Sequence, residues 1–179
     1  MIRKSRGLIA WCLYDCANSA FPTVITTFVF AAYFTKSVAT DAVNGTSQWG
    51  MAMSLSALAA ALAGPILGAI ADQTCRRKPW LFIFTIIAAT SAMMLWTVEP
   101  RATFIFHALF WVALANFAFE MCMVFYNAML PDLAPESRLG RWSGLGWGLG
   151  YFGGLACLGF VLIAFVQAEA PLIPLDKSS

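Results

Sequence analysis

Of 179 residues, 60% are apolar or aromatic and only 11% are charged, too few charges to cover a water-soluble domain, in which roughly a quarter of residues carry charge. The net charge of +2 comes from short, scattered basic clusters, which excludes the basic footprint of a nucleic-acid binder. The composition implies an all-α, polytopic helix bundle whose solvent is the lipid bilayer.

A transmembrane helix needs about 20 mostly apolar residues, and five segments qualify, approximately 8–35, 48–71, 80–98, 102–129 and 143–167. The first follows Arg3, Lys4 and Arg6 as a signal peptide would. It runs on too long for one and carries Trp11, Asp15, Asn18 and Pro22, so it reads as an uncleaved first helix. A polar loop, Lys36 to Gln48, separates the first two spans, and a charged turn, Asp72 to Pro79, separates the second and third. Glu99-Pro100-Arg101 makes a tight reversal, and Pro131 to Arg141 holds the last break. Asn44-Gly45-Thr46 in the first loop is a glycosylation triplet of a kind that is common by chance.

Basic loops stay on the cytoplasmic side of a membrane. Arg3, Lys4, Arg6, Arg76, Arg77, Lys78, Arg138 and Arg141 fall on one side of the five-span arrangement, and Lys36, Arg101 and Lys177 on the other. The expected localisation is therefore the cell membrane, multi-pass, with the N-terminus cytoplasmic and the C-terminus outside.

Two carboxylates, Asp15 and Glu120, fall inside spans, where a charge costs several kcal/mol unless it faces a bundle interior or a water-filled path. At about 100° per residue, Trp11, Asp15, Asn18, Ser19, Pro22 and Thr26 share one face of the first helix, and Asn116, Glu120 and Asn127 share a stripe of the fourth. Two such stripes imply a polar cavity shared by the two helices, with Asp15, Asn18, Asn116, Glu120 and Asn127 as the solute or proton path. The plainer alternative is that these groups make structural hydrogen bonds or sit near the interfaces. Pro22 removes a helix hydrogen bond and should bend the first helix.

Small residues recur every four positions in the second span, at Ala60, Gly64 and Gly68, ending at Asp72. The fifth repeats Gly146, Gly150 and Gly154 on one face and Gly140, Gly144 and Gly148 on another. Such rows let helix backbones approach closely in lipid, so Gly64, Gly146, Gly150 and Gly154 are expected at packing contacts. The seven tryptophans and fifteen phenylalanines read mostly as lipid-facing bulk and interfacial anchors.

Five cysteines are an odd number, and four of them lie in apolar runs, which argues against a disulfide framework. Cys12 and Cys16 are four apart, yet His107 is the sole histidine and no second pair of soft ligands accompanies them. No metal, cofactor or enzymatic constellation is expected.

The stretch Gly68 to Lys78, with Gly68, Asp72, Arg76 and Arg77, resembles the signature loop of the major facilitator superfamily, with Gln73 and Cys75 departing from its basic and glycine positions. Tyr14 to Phe21, Phe125 to Pro131 and Ser143 to Gly154 narrow the likeness to the vacuole-effluxer-like branch, which usually has tryptophan where Cys16 stands. The resemblance implies a proton-linked or facilitated mover of small solutes, amino-acid export being the best-known activity, with Gly68, Asp72, Arg76 and Arg77 as the cytoplasmic gate loop. It also implies about twelve helices in two halves, so this chain reads as a truncated N-terminal half. Its tail from Gln167, with Pro171 and Pro174, resembles the loop before a sixth helix. The expected partners are the bilayer, a small-molecule solute and a second transporter half. The alternative function is a non-transporting membrane subunit that assembles with a partner chain.

Overall fold

A computed structural model describes residues 2–74 and 76–166, with side chains over 6–74 and 76–164. Cys75, Lys177 and the tail from Gln167 lie outside the described residues, as do the side chains of Arg3 and Lys4. Among the described residues five helices are long and apolar enough to cross a membrane. The longest regular helix, at 32 residues, spans about 48 Å at 1.5 Å per residue, beyond the roughly 30 Å hydrocarbon core.

Helix α1 is regular over Ile2–Asn18, widens to π geometry over Phe21–Phe28, returns to α over Val29–Tyr33 and ends in a second π stretch, Phe34–Val38. The first change falls where Pro22 lacks the N–H that would continue the ladder. Hydroxyls there bond back along the helix: Thr23 Oγ1 donates to the Ser19 carbonyl and Thr26 Oγ1 to the Pro22 carbonyl, each at 2.9 Å.

Helix α2 covers Ala42–Gln73, so most of the expected loop from Lys36 to Gln48 is helical. The reason is a cap: Asp41 has extended backbone, and its carboxylate accepts the Asn44 N–H at 2.8 Å and the Asn44 side-chain amide at 2.6 Å. Helix α3 starts at Arg77, covers Arg77–Met94 and closes with a 3-10 turn, Leu95–Thr97. Pro79 lies in its first turn, where its missing N–H would have had no helical partner, so the basic cluster belongs to the helix rather than to a loop. Helix α4, Ile105–Leu133 after a 3-10 turn at Ala102–Phe104, runs through Pro131, the expected stop. Helix α5, Leu139–Val161, is preceded by a 3-10 turn at Glu136–Arg138 and followed by a π turn at Leu162–Val166.

Helix α4 is the hub, packing on α3, α2 and α1, while α5 packs chiefly on α1. At the α3 contact Phe125 stacks on Phe84 and Trp80, with centroids 5.9 and 6.0 Å apart, beside buried Ala118, Met121 and Cys122. The Tyr33 hydroxyl donates to the Val98 carbonyl at 2.9 Å. That bond ties the end of α1 to the α3–α4 turn over buried Phe34, Val38 and Ala108.

Candidate functional site

Two polar regions stand out in this bundle: a cavity between α1 and α5, and a charged cluster where α2, α3 and α4 converge. Beside the cavity α5 packs glycines against side chains of α1 in matching four-residue steps, and Gly150 of that row lines the cavity. A Cβ built on Gly146 would lie 2.5 Å from the Trp11 ring; on Gly150, 2.8 Å from both Asp15 Oδ2 and Ser19 Oγ; on Gly154, 2.5 Å from Thr23 Oγ1. Numbers rise together along both helices, so α1 and α5 run parallel. At Gly153 a Cβ would fall on the backbone carbonyl of Cys16. The second row, Gly140, Gly144 and Gly148, faces open space.

Asp15 is 6% exposed. It lines a cavity of about 440 Å³ with Ser19, Pro22, Thr23, Thr27 and Phe28 from α1, Met123 from α4, and Trp147, Gly150, Tyr151 and Leu155 from α5. Trp147 and Tyr151 flank Gly150 as a ring pair with centroids 6.0 Å apart. Trp147 falls among the tryptophans expected mostly as lipid-facing bulk, and Tyr151 is not among the expected site residues; their spacing about a glycine that faces Asp15 is the signal that finds them.

Among the described residues α4 contributes Met123 to the Asp15 cavity and none of the polar residues of its expected stripe. Asn18 donates to Met123 Sδ at 3.8 Å, so α1 and α4 do meet beside the cavity. Asn116 instead turns to α2, donating to Ser56 Oγ at 2.7 Å. Glu120 is half-buried and Asn127 exposed, and neither lines the Asp15 cavity. Asp15 thus lines the cavity and Asn18 sits beside it on Met123, while Asn116, Glu120 and Asn127 lie along α4 outside its lining.

Arg77 organises the charged cluster. Its Nε donates to Asp72 Oδ1 at 2.8 Å, and its Nη1 to Asp132 Oδ2 at 2.6 Å and to the Ala128 carbonyl at 2.7 Å. One guanidinium therefore links the end of α2, the start of α3 and the end of α4, a fork geometry that lysine cannot reproduce. Asp132 was not foreseen, because Pro131 had been read as the end of its helix. Arg76 caps α3 and lines, with Arg77, Lys78 and Asp132, a cavity of about 410 Å³. Gly68 sits one turn before Asp72, where a Cβ would make ordinary contact with Val124 at 4.0 Å. Gly64 packs likewise on Met121 and Val124 at 3.6 Å.

Lipid-length apolar helices enclosing a buried carboxylate and closed at one end by a charged turn define a polytopic membrane protein of the transporter type. The chain belongs to the vacuole effluxer Atg22-like family, whose model matches residues 36–141. It is 34% identical over 183 residues to the uncharacterised MFS-type transporter YxiO of Bacillus subtilis, covering all of this chain and 42% of that protein. An uncharacterised protein of Aquifex aeolicus is 25% identical over 167 residues, 93% of this chain and 41% of that one. The chain thus spans about two fifths of the length of these curated relatives. No solved structure matches it significantly.

Proposed function

We propose that this chain provides one half of the path of a secondary transporter that moves small solutes, amino acids among them, across the cell membrane by alternating access. The observation that carries the reading is Asp15, a carboxylate buried within a span and opening onto a cavity between two helices. A buried intramembrane carboxylate is costly and by default marks a solute or ion route. Glycine contacts along α1 and α5 support it further, since smooth small-residue faces let helices rock. In this reading a second helical half covers the polar stripe of Asn116, Glu120 and Asn127, and Gly68, Asp72, Arg76 and Arg77 form the cytoplasmic gate.

The test is transport by a full-length relative that carries these residues. Replacing the counterpart of Glu120 by glutamine abolishes or uncouples transport while membrane insertion stays intact; unaltered transport assigns Glu120 a structural role instead. Reporter fusions test the orientation: one after Arg77 is active only in the cytoplasm, one after Glu99 only outside. The reverse pattern overturns the topology.

A further inference from the structure

The geometry points to a binding site for an amphipathic organic cation, an ammonium group on an apolar or aromatic body, in the cavity between α1 and α5. The inference names a ligand class for the Asp15 cavity and rests on the transport-path reading of it. Asp15 is more than nine-tenths buried, and among the described residues its carboxylate has no hydrogen-bond or ion-pair partner. When ionised this carboxylate only accepts, and a cation is the partner that completes it.

The rest of the lining decides which cation. Phe28, Met123, Trp147, Tyr151 and Leu155 make the walls mostly apolar and aromatic. Small inorganic cations take several oxygen ligands; of the hydroxyl residues lining this cavity, Ser19, Thr23, Thr27 and Tyr151, Ser19 converges with Asp15 on Gly150 while Thr23 Oγ1 is turned back to the Ser19 carbonyl. Trp147 and Tyr151 are paired rings that keep 56% and 65% of their surface accessible, the arrangement that attracts ammonium groups through the ring faces. Among the described residues no lysine, arginine or histidine lines the cavity, so within this chain a ligand carboxylate meets no counter-charge. This chain's part of the site therefore favours an amine over a zwitterion of the same skeleton, a preference that a second half supplying a counter-charge would relax. At about 440 Å³ it falls within the range of small-molecule pockets.

The test is equilibrium dialysis of the full 179-residue chain in detergent against radiolabelled phenethylammonium, with 2-phenylethanol, phenylalanine and sodium chloride as competitors. Saturable binding is expected, with 2-phenylethanol and phenylalanine competing at least about ten-fold more weakly than unlabelled amine, a difference of about 1.4 kcal/mol. Asp15→Asn lowers affinity by at least about ten-fold at unchanged helicity. Because that core variant can fail to fold, the exposed Tyr151→Leu gives a second reading, a several-fold loss. Equal affinity in a folded Asp15→Asn, unchanged affinity in Tyr151→Leu, equal competition by phenylalanine, or displacement by sodium at matched ionic strength each overturns the assignment. A full-length relative that transports solute while the chain binds no amine refutes this inference and leaves the transport reading standing.

Discussion

Trp11 of α1 stacks on Tyr126 of α4 with ring centroids 4.2 Å apart and planes inclined by 8°, and its indole Nε1 donates to the backbone carbonyl of Tyr126 at 2.9 Å. Both residues are buried, and the Trp11 ring also fills the space left by Gly146. Three helices therefore share one side chain, which makes this contact the bolt between the α1–α5 pair and the α2–α3–α4 group.

Trp11→Ala should lower stability in detergent by about 3–5 kcal/mol, the usual cost of deleting a large buried aromatic. Trp11→Phe should cost less, because it keeps a ring and loses the hydrogen bond, about 1 kcal/mol of the total. Denaturant titration of the two variants reads the difference. A Trp11→Ala loss below that of Trp11→Phe would refute the stacking account.

The Tyr126 hydroxyl is buried without a hydrogen-bond partner among the described residues. A buried unpaired polar group costs about 1–3 kcal/mol, so Tyr126→Phe should leave the apparent unfolding midpoint unchanged or raise it. A clear drop would mean that the hydroxyl has a partner this account omits.

Two glycines of α5 give opposite expectations. A Cβ at Gly153 meets the Cys16 backbone, which cannot rotate away, whereas one at Gly148 meets nothing within 4 Å. Gly153→Ala should destabilise by about 1–3 kcal/mol through forced separation of α1 and α5. Gly148→Ala should stabilise by up to about 1 kcal/mol through helix propensity alone. Equal melting shifts in the two variants would remove the close parallel packing of α1 and α5.

These comparisons also show what could be read from spacing. The five spans follow from composition and punctuation, since lipid tolerates only long, internally hydrogen-bonded apolar segments. The row Gly146, Gly150, Gly154 was legible as a packing face, but its partner was not. Nothing local in α5 specifies that Trp11, Asp15, Ser19 and Thr23 lie opposite. Asp15 and Asn18 were legible as misplaced polarity; that Asn116 bonds Ser56 of α2 instead of facing α1 was not, because nothing local in α4 specifies that partner. Helix ends were misjudged where polarity was taken for loop. At Asp41 the polar side chain begins a helix, and at Asp132 it holds the last turn against Arg77.

The Asp41 cap also carries a pH dependence. The Asn44 backbone N–H, then its side-chain amide, hold the Asp41 carboxyl below the usual carboxylate range. A depressed pKa gives stabilisation that is fully present above the ordinary value of about 3.9 and is lost as pH falls through the folded-state value. Amide protection at Gly45, whose N–H bonds the Asp41 carbonyl at 2.9 Å, and in the following turn should be constant between neutral and mildly acidic pH once intrinsic rates are divided out. Asp41→Ala should lower it, and Asp41→Asn should keep most of it. Protection that is the same in Asp41→Ala would show that the first turn of α2 stands without its cap.

Arg77 separates two roles that the signature loop combines. Asp72 and Asp132 are 57% and 70% exposed at the side chain, and exposed ion pairs contribute only about 0.2–1 kcal/mol each. Asp72→Asn should therefore leave the amount of folded chain in detergent almost unchanged, because Arg77 keeps Asp132 and the Ala128 carbonyl. Arg77→Ala should cost more, about 1–2 kcal/mol, since it removes the bonds from α3 to Asp132 and to the Ala128 carbonyl at once. Arg77→Lys should fall between the two, as a point charge cannot bridge both carboxylates in one plane. If the loop is the proposed gate, the order reverses for function in a full-length relative with the same loop: Asp72→Asn strongly impairs transport there. Collapse of the chain on Asp72→Asn would make the loop a stabilising element first and a gate second.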